Sequence, residues 1–83
     1  MTLRFTNAAF RQLSRLEKNV QKRVVEKLEF YCSQDQPLQF AEKLRDPRFG
    51  QWRFRTGEYR ALFDVENDEI VILAVGHRRD IYK

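Results

Sequence analysis

The stretch Ile70-Val71-Ile72-Leu73-Ala74-Val75 is apolar at every position. It is far shorter than the ~18–20 residues that cross a bilayer, and it lacks the alternation that leaves one side of a strand to water. Such a run reads as a strand covered on both faces, hence central in a sheet. In a chain of 83 residues that strand commits most other apolar side chains to one core, because a domain of this size has little surface to spare. One domain over 1–83 is the reading that follows.

The segments before the run carry the strand period. In Gln51-Trp52-Arg53-Phe54-Arg55, Trp52 and Phe54 point one way and Gln51, Arg53 and Arg55 the other. Thr56-Gly57-Glu58 predicts a tight turn. A second strand then runs from Tyr59 to about Val65, with Tyr59, Ala61, Phe63 and Val65 on one side and Arg60, Leu62 and Asp64 on the other. Asn67-Asp68 supplies the next turn. The first half has the helical period instead. Thr6 or Asn7 is a candidate cap, and Phe10, Leu13, Leu16 and Val20 predict a buried stripe. Val20, Val24, Leu28 and Tyr31 mark a second stripe, with a break and a second cap near Lys18-Asn19, so two helices of similar length form a hairpin. A short helical turn is expected over Leu38–Leu44 and a short extra strand over Leu3–Phe5. The order β-α-α-β-β-β predicts an α+β fold, with an N-terminal helical hairpin packed on one face of a small, mainly antiparallel sheet.

Charge narrows the function. The formal net charge is +4. Between Lys43 and Arg60 stand six basic residues (Lys43, Arg45, Arg48, Arg53, Arg55, Arg60) against the acids Asp46 and Glu58, so this segment carries the whole excess. Aromatic residues are interleaved with the bases, which points to a polyanion partner. Cys32 is the single cysteine and cannot form an internal disulfide, which fits a reducing cytoplasm. The N-terminus shows no apolar core of signal-peptide length. One histidine and one cysteine leave a four-ligand zinc site out of reach. Asp64, Glu66, Asp68 and Glu69 resemble a ligand set in composition only. No metal, cofactor or membrane partner is expected, and neither a Gly-rich phosphate loop nor a Ser-His-Asp arrangement is visible.

Arg53 and Arg55 share a strand face, and a tight hairpin brings Arg60 beside them if the register allows. Arg78, just past the apolar run, can join them. A hollow lined by guanidinium groups suits a phosphodiester and the extra charge of in-line phosphoryl transfer; each arginine alone reads as an ordinary solvent-facing residue. Tyr82 is a candidate for stacking on a base. Tyr59, Trp52, Phe54 and Cys32 read as packing residues. His77, the only imidazole, is either a general acid–base or a strand-end hydrogen-bonding residue.

The decapeptide Gln51-Trp52-Arg53-Phe54-Arg55-Thr56-Gly57-Glu58-Tyr59-Arg60 and the ending Val75-Gly76-His77-Arg78-Arg79-Asp80-Ile81-Tyr82 resemble the RelE/ParE superfamily of toxins from bacterial type II toxin–antitoxin systems. The likeness extends over nearly the whole chain. It implies helices packed on an antiparallel sheet and a cognate antitoxin that wraps the toxin, with a toxin–antitoxin heterotetramer as one assembly. The RelE branch implies a metal-independent endoribonuclease that cuts mRNA in the ribosomal A site by attack of the 2′-hydroxyl on the adjacent phosphate. The ParE branch implies a DNA gyrase inhibitor without catalysis, and a simple nucleic-acid-binding module is a third reading. Carried onto this chain, the RelE resemblance gives Arg60, Arg78, Tyr82 and Arg53 catalytic roles. Arg55, Lys43, Arg45, Arg48 and His77 would support the RNA. Gln51 stands where the best-known RelE pattern has lysine, implicated in activating the hydroxyl, and His77 is a candidate substitute.

Overall fold

The computed structural model describes residues 1–82; Lys83 lies outside them. The elements run β1 (Thr2–Phe5), α1 (Asn7–Ser14), α2 (Lys18–Ser33), β2 (Ala41–Lys43), β3 (Trp52–Thr56), β4 (Tyr59–Glu66) and β5 (Glu69–His77), with 3₁₀ turns at Pro37–Phe40 and Pro47–Phe49. They form a five-stranded sheet in the order β1-β5-β4-β3-β2. The last strand, β5, returns beside β1 and pairs with it in parallel, while the other described pairings are antiparallel. The fold is α+β, as expected, with one strand more than the sequence suggested. The stretch read as a helical turn over Leu38–Leu44 divides into a 3₁₀ turn and the edge strand β2.

Thr6 caps α1, its hydroxyl accepting from the Ala9 backbone N–H at 3.1 Å, which satisfies one of the donors a helix start leaves free. The helix buries Ala9 and Leu13, one turn apart. Phe10 is not in that stripe: it is 60% exposed. The small Ala9 lets the helix approach β5, and Gln12 reaches past it to accept the Val75 N–H at 2.8 Å. The break between helices falls before Lys18, with Glu17 rather than Asn19 at the cap position. α2 is twice as long as α1 and lays Val20, Val24, Leu28 and Tyr31 on the sheet, the stripe expected. Opposite them lie Phe54, Ala61, Phe63, Ile70, Ile72 and Val75, with Tyr31, Phe54 and Phe63 stacked in series at 4.7 and 4.3 Å.

Inside the apolar run the chain departs from simple alternation. Phe63 pairs with Ile72 and Leu62 with Ala74, so Leu73 is an extra residue in β5. A bulge of this kind shifts the phase of the side chains. Ile70 and Ile72 face the helices before it, and Val75 does so after it. β5 is covered on both faces, although β4 occupies the middle of the sheet. On the far side from the helices Leu62 and Val71 are also buried. Cover on that side comes from the loop before β3 and from the turn after β5. The packing of Ile81 over Gly76 holds that turn down. A β-carbon at position 76 would sit 3.2 Å from Ile81 Cδ1, a separation at which that side-chain end would have to shift by a few tenths of an ångström.

Candidate nucleic-acid interface

Residues paired across a sheet point to the same side, and the register therefore decides which basic groups meet. Arg55 is directly opposite Arg60, and Arg53 is opposite Leu62. All three arginines project from the sheet face that the helices leave uncovered. The hairpin between them is a two-residue turn, Gly57-Glu58, closed by the Thr56–Tyr59 pair. Gly57 adopts φ 67°, the conformation that a turn of this twist requires of its first residue. Like charges placed directly opposite on a sheet are unfavourable, so the Arg55–Arg60 pair needs a negative neighbour.

That neighbour is Glu42 for two of the arginines. It pairs with Arg53 across the β2–β3 ladder. Its two oxygens take Arg53 Nη2 at 2.8 Å and Arg55 Nε at 2.6 Å. Arg53 also donates from Nη1 to the Tyr82 hydroxyl at 2.8 Å, while its Nε is buried and has no partner among the described residues. The Tyr82 ring meets Phe49 edge-on, with centroids 5.2 Å apart. The loop before β3 and the turn after β5 thus close over Arg53 from two sides. Arg60 is held differently. It is half-buried and its Nη1 donates to the carbonyls of Gly57 and Tyr59, both at 2.9 Å. Among the described residues no carboxylate pairs with it. Arg78 joins at the same turn. Its backbone N–H donates to Glu58 O at 2.8 Å and its Nε meets Glu58 Oε2 at 2.7 Å.

The sequence-predicted site residues therefore fall into two sets. Arg53, Arg55, Arg60, Arg78 and Tyr82 are brought together. Lys43 is not: it pairs with Trp52 on the helix side of the sheet, its Nζ 6.0 Å from the centre of that ring. His77 pairs with Tyr59 on the helix side as well, its ring edge-on to Tyr59 at 5.4 Å, and its Nδ1 accepts the Arg79 N–H at 3.2 Å. Arg45 is exposed on the loop. Arg48 binds its near neighbour Asp46 at 2.6 Å. Gln51 serves the fold: its side-chain oxygen accepts the Val65 N–H at 3.0 Å and its backbone N–H donates to Asp64 at 2.8 Å, extending the β3–β4 ladder by one side-chain rung. The residues that sequence reading missed are Glu42 and, as a partner of Arg78, Glu58. Glu42 stands immediately before the basic segment, and only the strand β2 turns it toward the arginines.

The hydrogen bond from Arg53, with Arg55 beside it, holds the Glu42 carboxyl below its ordinary value of 4.5, while Glu42 and then Tyr82 raise Arg53. A carboxyl depressed by folding contributes stability that is present above its unfolded pKa and is lost as pH falls through its folded one. The ion pairs to Arg53 and Arg55 are accordingly expected to persist below the pH at which an ordinary glutamate is half protonated. An NMR titration of the Glu42 carboxyl carbon checks this. Its midpoint should lie below that of a free glutamate and move back up in Arg53→Ala; an unshifted midpoint in the wild type would mean that the pair does not form in solution. Among the described residues no group of three or more His, Cys, Asp or Glu side chains is placed to hold a metal ion.

A helical hairpin thus lies on one face of a small mixed sheet, and arginines and a tyrosine gather on the side away from it. The sequence profile described as "ParE toxin of type II toxin-antitoxin system, parDE" matches residues 3–82, and the chain belongs to that family of toxins. It is 39% identical over 84 residues to Toxin RelG of Mycobacterium tuberculosis, a match spanning 99% of this chain and 95% of that protein. Its structure is similar to a chain of the toxin–antitoxin complex RelBE2 from Mycobacterium tuberculosis, with TM-score 0.80 and 35% identity over 93% of this chain and 96% of that one. It also resembles in fold a chain of the RelB–RelE antitoxin–toxin complex from Methanococcus jannaschii, with TM-score 0.67 and 24% identity over 95% and 94% of the two chains.

Proposed function

We propose that this toxin is a ribosome-dependent endoribonuclease that cleaves mRNA in the A site and so stops translation. The observation that carries the reading is the gathering of Arg53, Arg55 and Arg60 on the sheet face away from the helices, with Tyr82 on Arg53, Arg78 at the adjoining turn and no carboxylate on Arg60 among the described residues. In the reaction the 2′-oxygen attacks the neighbouring phosphorus, its proton passing to water. The P–O5′ bond breaks and the leaving O5′ takes a proton from water, giving a 2′,3′-cyclic phosphate and a 5′-hydroxyl. Arg60 binds the scissile phosphate and stabilises the charge that grows on its non-bridging oxygens. Arg78 acts from the same turn. Tyr82 accepts from Arg53, so its own O–H is free to donate to a phosphate oxygen, and its ring is open for stacking on a base. Neither Gln51, committed to the Val65 amide, nor His77, on the other face, serves as base. Holding the RNA in line then carries more of the catalysis, and orientation alone can supply ~7–11 kcal/mol of a barrier.

The two structural neighbours were solved as complexes with antitoxins, which supports a cognate antitoxin for this chain. A toxin–antitoxin heterotetramer is the assembly we infer, acting in the cytoplasm. No helix among the described residues is long and apolar enough to cross a membrane. The experiment that tests the reading is pulsed expression in a bacterial host with the first damage mapped within minutes. New mRNA 5′ ends on ribosomes are expected before any DNA lesion; trapped gyrase–DNA breaks with intact mRNA would assign the chain to the gyrase-inhibiting branch.

A further inference from the structure

The arginine face is already occupied by the protein's own anions. Glu42 takes one donor from each of Arg53 and Arg55, and Glu58 takes Nε of Arg78. Each carboxylate thus holds guanidinium donors of the kind a phosphate oxygen accepts from. We propose that Glu42 and Glu58 are specificity-determining residues of this site: they stand in for RNA phosphates in the free toxin and so select against RNA that no larger assembly holds in place. The inference rests on the RNA-cleaving reading.

The physical basis is competition for a limited set of donors. Among the described residues, three of the four arginines gathered here have a carboxylate partner. A free, flexible strand could use these donors only by displacing both carboxylates and giving up its own conformational freedom for a charge-assisted bond of similar kind, so it binds without them. RNA fixed on a ribosome has already lost that freedom. The pairs are solvent-exposed, with both Glu42 and Glu58 open to water, and exposed pairs of this type are weak enough to exchange. The site is also not saturated: among the described residues Arg53 Nε is buried without a partner, and Arg60 uses only backbone carbonyls. Phosphates arriving in the correct geometry therefore gain contacts that the carboxylates do not make.

The test uses the purified full chain and a fluorescent single-stranded oligonucleotide that lacks every 2′-hydroxyl, so that binding is read without cleavage. The double variant Glu42→Gln with Glu58→Gln is expected to bind roughly three- to tenfold more tightly than wild type. Its log K should also fall more steeply with log salt, by about 1.4 for two further phosphate contacts. The control Glu26→Gln with Glu29→Gln removes equal charge from exposed positions of α2, on the other side of the sheet, and should change binding less and leave the slope unaltered. Each single variant should give part of the gain, and thermal melting verifies that all are folded. A gain no larger than the control's, or weaker binding, overturns the proposal. Failure of the RNA-cleaving reading is seen separately, as intact mRNA on ribosomes treated with the wild type.

Discussion

Replacing Arg60 by alanine will abolish growth arrest and lower single-turnover cleavage on programmed ribosomes by about 10²–10³-fold, the loss typical of removing one donor aimed at a developing oxyanion. Arg60 is singled out by its surroundings. Its neighbours Arg53 and Arg55 share Glu42, and Arg78 has Glu58, whereas Arg60 is fixed by two backbone carbonyls that orient its fork without neutralising it. Its charge is therefore the one most available to a phosphate. Arg60→Lys keeps the charge but not the planar pair of donors and should fall between wild type and alanine. Arg60→Ala combined with Arg78→Ala should leave no measurable toxicity. Because the side chain lies on the face away from the main core, the melting temperature should move little. A folded Arg60→Ala protein that still cleaves within tenfold of wild type would remove Arg60 from this role.

The largest effect on stability is expected at Phe63. It is fully buried, stacks on Phe54 at 4.3 Å, and lies beside the bulge at Leu73. Phe63→Ala should cost about 3–5 kcal/mol in transfer energy and residual cavity. Domains of this kind have about 5–15 kcal/mol in all, so the variant is left near the threshold of folding. Urea unfolding followed by circular dichroism measures the loss. Phe10→Ala, at a residue 60% exposed, should change stability by less than about 0.5 kcal/mol. Comparable losses in the two variants would mean that α1 packs through Phe10 after all.

Much of this architecture is legible in the chain because most elements repeat their period. The α2 stripe, the Trp52–Arg55 alternation and the Gly57 turn each offer several residues that agree. Three features offer none. At Phe10 the sequence places a large apolar residue beside a small one, and tertiary packing prefers Ala9. Within Ile70–Val75 every residue is apolar, so the phase shift at Leu73 leaves no trace in the pattern. β2 has three residues, too few to show a period, yet its pairing with β3 turns Glu42 toward the arginines and Lys43 away from them. The clustering of Arg53, Arg55 and Arg60 was readable as soon as the hairpin was closed by a two-residue turn. Their sharing of one carboxylate was not, because it depends on the register of a three-residue edge strand.

The central claim is that this arginine face holds RNA for attack by its own 2′-hydroxyl. The most direct measurement adds the purified toxin to ribosomes programmed with mRNA and analyses the new ends, in parallel with an mRNA that has a single deoxynucleotide at the cleaved position. A 2′,3′-cyclic phosphate and a 5′-hydroxyl, with no cleavage at the deoxy position, is the result predicted. Intact mRNA beside wild-type growth arrest, or cleavage that proceeds without the 2′-hydroxyl, would contradict it.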